Sequence, residues 1–444
     1  MRRILLSFSL VVCHLSLSLA QTLEECQQAA QQNYPLIRQM DLIRQTTELT
    51  VQNIQKGWLP QVSASAQATW QSDVTAFPEQ IQNVYQQMGI DMKGLRKDQY
   101  RIGIDVQQTI YDGGAIRSQK DVARQQGVVD EAQNEVGMYQ IRKRVNEMYF
   151  ALLLLDEQIR LNNDRQLLLE GNERKLASMF KRGTAAESDY LSVKAERLNV
   201  AQQLTGLQSQ RQTVARMLGV FCGLEITSVQ KPAVTATVIP TGQEGLRPEL
   251  RLIDAQIGLA DAREKALNSA LLPRLGVFAQ GYYGYPGLNL FDDMMHRQWS
   301  LNAIIGARLS WNIGALYTRK NDQAKLRAQR SAFNVQREVF LFNNHLEQIQ
   351  QNENISRYRR LMTDDEEIIR LRSQVRKAAE SKLAHGIIDT NDLVREINAE
   401  NAARVQQSVH EIDMLKEIYD WHYTVAPPPA LQSETGVVGT SHNN

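Results

Sequence analysis

Two aspartates stand out among the residues that could do chemistry, because each follows a glycine by six positions: Asp189 after Gly183, and Asp392 after Gly386. An acid placed there can cap the start of a helix. If several copies converge, it can also form a charged ring that attracts cations. No other reacting constellation is evident. A Gly-rich phosphate loop, Gly-x-Ser-x-Gly and His-Glu-x-x-His do not occur. His345, His385, His410 and His422 are scattered with no pair four residues apart, so each reads as structural or surface. The run Asp364-Asp365-Glu366-Glu367 reads as a solvated helix face or a restart capped by Thr363. No catalytic, metal or cofactor site is expected, and the chain does not read as an enzyme.

The elements that carry these aspartates are written twice. Pro35 matches Pro248, and Leu59-Pro60 matches Leu272-Pro273, both 213 positions apart. Tyr111-Asp112-Gly113-Gly114-Ala115 matches Trp311-Asn312-Ile313-Gly314-Ala315 at 200, and Gly183 with Asp189 matches Gly386 with Asp392 at 203. Four matches in the same order indicate an internal duplication. Each half reads helix, strand, loop, strand, very long helix, turn, helix.

The strands show a period of two. Val62, Ala64, Ala66, Ala68 and Trp70 alternate with Ser63, Ser65, Gln67 and Thr69, and Tyr100, Ile102, Ile104 and Val106 alternate with Arg101, Gly103, Asp105 and Gln107. Arg274–Tyr283 and Ser300–Trp311 repeat this with noise: Phe278 and Ile304 fall on the polar side. Aromatics cluster at the strand ends. Apolar-out, polar-in strands suit a transmembrane barrel with a wet interior, although a soluble antiparallel sheet has the same alternation. Four strands cannot close, and an open edge cannot sit in lipid. Eight strands fill their interior with side chains. Twelve, from three copies, is the smallest multiple of four that leaves a conduit, so a homotrimer sharing one barrel is expected.

Ala115–Lys181 and Ala315–Ala384 are predicted as helices; the first lacks proline throughout and runs about 100 Å. Thr22–Lys56, Glu187–Val220, Arg251–Ala270 and Asp389–Tyr423 are the shorter pieces; in the second and fourth, apolar residues such as Leu191, Ala195, Leu198 and Leu393, Ile397 step by threes and fours as in side-by-side coiled-coil packing. Gly183 ends one long helix, and Thr184-Ala185-Ala186-Glu187 reads as a capping box for the next.

The basic start Arg2-Arg3, the apolar stretch Ile4–Leu19 and the small Ala20 read as a cleaved secretory signal. Val12 before Cys13 is too large for a lipidation site. The layout is then a signal peptide over 1–20, a first repeat over 21–220, a linker over 221–246, a second repeat over 247–425 and a disordered tail over 426–444. The chain has 50 Lys+Arg against 49 Asp+Glu, and removing Arg2 and Arg3 leaves 48 against 49, which gives no electrostatic case for nucleic acid. Two cysteines remain, Cys26 and Cys222, at similar heights by helix rise. Equal height does not supply the Cα separation a bridge needs, so two separate buried thiols are expected.

Taken together, the duplicated layout, Leu59-Pro60 and Leu272-Pro273, Tyr111-Asp112-Gly113-Gly114, and the hairpins Gly183-x5-Asp189-Tyr190-Leu191 and Gly386-x5-Asp392-Leu393 resemble the TolC-like outer-membrane efflux proteins. The resemblance implies long coiled-coil-like helices forming a periplasmic α-barrel. It also implies four strands per chain in a shared trimeric transmembrane β-barrel in the outer membrane. The implied function is a passive exit duct for efflux, working with a periplasmic adaptor and an inner-membrane transporter. An exit duct for polypeptide secretion is the alternative, and a structural periplasmic coiled coil ranks below both. By resemblance the tips at Gly183, Thr184, Gly386 and Ile387 meet the adaptor, and Asp392, Asp189 and Arg395 form the periplasmic gate. Three acids about 7 Å apart repel by about 0.6 kcal/mol per pair in water and about 2 kcal/mol at a dielectric of 20. That biases opening without locking it. Two departures concern the pattern itself: Asn312-Ile313 replaces Asp-Gly at the second strand exit, and Arg395 and Ile388 alter the second tip.

Overall fold

A computed structural model describes residues 20–233 and 247–425. Residues 1–19, 234–246 and 426–444 lie outside the described residues, and with them nearly all of the expected signal peptide over 1–20, half of the expected linker over 221–246 and the expected tail over 426–444. The chain divides into two compact units that interleave in sequence. Unit 1 takes residues 1–39, 134–251 and 338–444, and unit 2 takes 40–133 and 252–337.

Unit 2 is built on one antiparallel sheet in the order β1-β2-β3-β4, with β1 at Gln61–Trp70, β2 at Asp98–Tyr111, β3 at Arg274–Tyr285 and β4 at Ser300–Ser310. The register puts like with like. Val62, Val106, Ala279 and Ile305 form one row, and Ala66, Ile102, Tyr283 and Leu301 another on the same face. Leu301 and Ile305 are 82% and 83% exposed. The opposite face carries Ser63, Asp105 and Gln280 in one row and Gln67, Arg101 and Ser300 across another.

The two apolar intruders on that polar face have a physical account in one case. Phe278 lies against Gly306, where a Cβ would approach its ring to 2.7 Å, and the Arg308 guanidinium sits 5.1 Å from the ring centroid. A missing side chain and a cation thus accommodate the ring. Nearby, Arg101 stacks over Tyr282 at 3.9 Å. Ile304 pairs instead with Gln280.

The loops between strands hold two short helices that the alternating pattern does not announce, α3 (Glu79–Gln87) and α7 (Leu290–His296). They are fastened by Leu95, Tyr285 and Met294, which pack together, and by Arg297, whose Nε donates to the Gly94 carbonyl at 3.0 Å. Tyr100 stacks on Trp299 at this end of the sheet.

Unit 1 is helical. Helix α4 (Ala115–Lys181) and α8 (Ala315–Ala384) each start in unit 2 and continue through unit 1, where α1 (Leu23–Asn33), α5 (Glu187–Cys222) and α9 (Thr390–Val425) pack on them. The remaining helices are α2 (Leu36–Gln55) and α6 (Pro248–Ser269). The helix predicted over Thr22–Lys56 is therefore two helices. Tyr34 takes an extended conformation, φ −68° and ψ 134°, because the ring of Pro35 disfavours helical backbone in the residue before it.

One core cluster joins Leu23 and Ala30 of α1 to Val145, Tyr149 and Phe150 of α4, Leu218 of α5 and Leu415 of α9. A second joins Leu169 and Leu176 of α4 to Val193 and Val200 of α5, Ala379 of α8 and Leu393 and Ile397 of α9. Other apolar residues are left outward. On α8, Val339, Phe342, Leu346 and Ile349 follow 3-4-3 spacing and are all exposed. No described helix is long and apolar enough to cross a membrane.

Candidate functional site

The two tips of unit 1 are built alike. Helix α4 ends at Lys181 and α5 starts at Glu187; α8 ends at Ala384 and α9 starts at Thr390, leaving turns over 182–186 and 385–389. Gly183 and Gly386 take φ of +74° and +70°, the left-handed region that closes a helix without a Cβ penalty. In both, the next residue donates its amide five positions back: Thr184 to Met179 O and Ile387 to Lys382 O, each at 2.9 Å. Ile387 is 69% exposed, so this tip presents an apolar side chain outward. Ile388 turns inward and packs against the second core cluster with Ala185 and Tyr190 of the other tip.

The helix starts differ from expectation. Thr184 does not cap α5; its hydroxyl bonds back to Met179 O at 3.1 Å. Ala186 occupies the cap position and has no side-chain acceptor. Asp189 supplies only the returning half of a capping box, its Oδ2 accepting from the Ala186 amide at 3.4 Å. At the second tip Asp389 is the capping acid, accepting from the Asp392 amide at 2.9 Å. Asp392 is then free to bind Arg395, whose Nη2 donates to its Oδ1 at 2.9 Å. The structure thus brings Asp392 and Arg395 together within one chain, while Asp189 serves its own helix start.

Above the tips the helices are joined by charge rather than by apolar contact alone. Arg165 of α4 bonds Glu196 of α5 and Asn398 of α9, and Asn398 returns a bond to Glu196 at 3.0 Å. Arg376 of α8 bonds Glu400 of α9, which also accepts from Arg404 at 2.8 Å. Burial alone pushes the Glu400 carboxyl up, but hydrogen bonds from Arg404 and Arg376 outweigh it and leave it below the usual carboxylate value. These arginines line a cleft of about 250 Å³ with Leu161, Leu168 and Ile397. No sequence motif marks this network, because its members come from four helices with no common spacing.

The acidic run also needs correction. Asp365 is buried and bonds His410 Nδ1 at 2.7 Å, so it is a core contact between α8 and α9 rather than part of a solvated face. Helix α8 runs through Thr363 without a restart.

At the first strand exit, Asp112 explains the Tyr-Asp-Gly-Gly turn. Its buried carboxylate accepts from the Gly114 amide at 2.8 Å and the Ile116 amide at 2.6 Å, tying the end of β2 to the start of α4. At the second exit Asn312 makes no such side-chain bond among the described residues, and Trp311 instead donates its indole N–H to Leu271 O at 2.9 Å. The two cysteines meet in the first core cluster, where the Cys222 thiol donates to the Cys26 carbonyl at 3.4 Å.

Comparison with known proteins fits this geometry. Residues 27–223 match the family model described as outer membrane efflux protein. No curated protein sequence matches the chain. Among solved structures the chain is similar to the outer-membrane channel OprN, with TM-score 0.66 and 14% identity over 91% of this chain and 89% of that one. It is similar also to the CmeC outer membrane channel of Campylobacter jejuni, at 0.65 and 14% over 91% and 85%. The open state of the MtrE outer membrane channel of Neisseria gonorrhoeae gives 0.63 and 13% over 91% and 88%. Over residues 27–223 the chain is therefore similar to the outer membrane efflux protein family, and over nearly its whole described length it has the fold of outer-membrane channels.

Proposed function

We propose that three copies of this chain form an exit duct across the outer membrane and periplasm, through which cargo delivered by an inner-membrane transporter and a periplasmic adaptor leaves the cell. The observation that carries this reading is the sheet. One face is apolar from β1 to β4 and exposed, and the opposite face is polar. Among the described residues β1 and β4 each pair on one side only, which lipid does not tolerate unless copies supply the missing neighbours. Twelve such strands would present Leu301 and Ile305 to lipid and Arg101, Gln107 and Ser300 to a wet interior. The exposed α8 stripe at Val339, Phe342, Leu346 and Ile349 offers the helical part of the same assembly a packing seam.

In this reading the tips around Gly183, Thr184, Gly386 and Ile387 contact the adaptor, and exposed Ile387 is the apolar anchor. Asp392 rings the narrow periplasmic end, with Arg395 beside it moderating the charge and Asp189 contributing less because it caps α5. The test is the mass of detergent-extracted protein by light scattering together with conductance in planar bilayers. A trimer that conducts supports the duct. A stable monomer, or a trimer that does not conduct, rejects it.

A further inference from the structure

Helix α1 is separated from α2 by the break at Pro35, so its position is set by what it touches. Asn33 donates its amide to the carbonyls of Val220 and Phe221 at 3.0 and 3.2 Å, where α5 ends. Tyr34 stacks on Phe221 with centroids 5.8 Å apart. Gln21 pairs with Val229 in the segment after α5, and the Tyr149 hydroxyl lies 2.8 Å from the Gln21 carbonyl. At the centre of this joint are Cys26, fully buried, and Cys222, 3% exposed. Both are free thiols in the structure, 196 positions apart in sequence.

We propose that Cys26 and Cys222 close into a disulfide that staples α1 to the end of α5 in the mature protein. The Cys222 sulfur lies 3.4 Å from the Cys26 carbonyl oxygen. With the Cys222 sulfur already against the Cys26 backbone in a shared core cluster, turning the Cys26 side chain toward it is the adjustment that the bonded S–S distance of about 2.05 Å requires. The duct reading places unit 1 in the periplasm, an oxidising compartment in which such a pair persists as a disulfide; the inference rests on that placement. Nothing in the proposed transport uses either sulfur.

Burial dictates when the bond forms. Once α1 is docked, neither sulfur is open to attack, so closure precedes docking. The co-reactant is a periplasmic protein disulfide oxidant. The Cys26 thiolate attacks one of its sulfurs and expels the other as thiolate, giving a mixed disulfide. The Cys222 thiolate then attacks the Cys26 sulfur and expels the oxidant. Two thiols lose two protons and two electrons, and the oxidant's disulfide becomes a dithiol. After docking, the bond is out of reach of reductants. It encloses a long loop, and such loops give a disulfide its largest restriction of the unfolded chain.

The experiment uses outer membranes from acid-quenched cells, alkylated in denaturant without reductant, with peptide mapping by mass spectrometry. The expected result is a linked pair of peptides carrying Cys26 and Cys222, with both cysteines labelled only after reduction. Labelling of more than half of either cysteine before reduction, in protein that is trimeric in the outer membrane, overturns the staple and leaves the duct reading intact. Linkage of either cysteine to another chain overturns it as well. The Cys26→Ala/Cys222→Ala protein should dissociate at a temperature lower by several degrees, and an unchanged temperature counts against the staple. If that variant does not accumulate, the mapping of the native chain decides.

Discussion

In the sheet of unit 2, leucine and isoleucine side chains stand outward, whereas in unit 1 Asp365, Glu400 and Arg165 are sunk between helices. Each arrangement looks inverted beside an ordinary soluble domain, and the reasons differ. The sheet puts apolar groups outward because its proposed solvent on that side is hydrocarbon, where the cost falls on any exposed charge. The helices take charges inward because long, narrow seams offer too little apolar area, and paired ions fix which helix meets which. Polarity in this molecule therefore follows the local surroundings of each element, and the same substitution should act with opposite sign in the two regions.

The largest effect is expected where a buried ion loses its partner. Glu400→Ala leaves Arg376 with Glu380 as its remaining partner and should destabilise unit 1 by about 3 kcal/mol, read from the midpoint of helix loss by circular dichroism. Replacing both residues by leucine or methionine should recover much of that loss. A near-zero effect of Glu400→Ala would mean that the charged seam is solvated. Acid sharpens the same point. Glu400 has a folded value below its ordinary 4.5. Its stabilisation is therefore complete above that pH and disappears as the pH falls through the lower folded value. Glu400→Gln should flatten this acid loss, and an unchanged acid profile would transfer the effect to other carboxylates.

Ile305→Arg should cost about 2–4 kcal/mol if that row faces the middle of the bilayer, seen as loss of assembled protein in the outer membrane and a lower urea midpoint. On the other face Arg101→Ala removes a stacking contact with Tyr282 and should cost about 0.5–1 kcal/mol. Equal costs at the two positions would remove the distinction between the faces. Asp112→Ala, which frees two amides at the first strand exit, should cost about 1–2 kcal/mol, between those two values, while Asn312→Ala at the second should cost almost nothing. The same thermal midpoint reads both. Asp392→Ala should leave stability within about 0.5 kcal/mol, since its pair with Arg395 is exposed. It should nonetheless weaken block by a trivalent cation and lower cation preference in single-channel recordings, and Arg395→Ala should shift selectivity the other way. Unchanged currents in Asp392→Ala would leave the aspartate with no role at a gate.

Most of the layout is legible in the residues because periodicity survives in each element by itself. Ala115–Lys181 and Ala315–Ala384 match the observed long helices end to end, and the alternation in β1 and β2 sets which face is apolar. What fails is local chemistry that depends on partners distant in sequence. The break at Pro35 has its signal in the proline itself, which the reading of one helix over Thr22–Lys56 uses only as a match to Pro248. Phe278 reads as noise until Gly306, one strand away, is seen to make room for it. The acidic run around Asp365 reads as solvated because His410 lies 45 positions on. At the tips, Thr184 satisfies the spacing of a capping box, yet the chain starts α5 three residues later and uses Asp189 instead. The joint at Cys26 and Cys222 was reachable from helix rise as equal height, but contact between the two required the helix packing.

The interleaving of the two units carries a consequence for biogenesis. Leu23, Cys26 and Ala30 share a core with Ile412 and Leu415, and Tyr419 reaches Glu24. A polypeptide made N-terminus first at 5–20 residues per second presents the first group about 20–80 s before the second exists. High contact order of this kind delays folding until synthesis and export are complete. In the duct reading, the nascent chain crosses the periplasm while the buried face of α1 still lacks its partners, in the condition that holdase chaperones recognise. Removing α9 would then not trim the molecule but would leave α1, α4 and α5 without a finished core, as a substrate for periplasmic proteases.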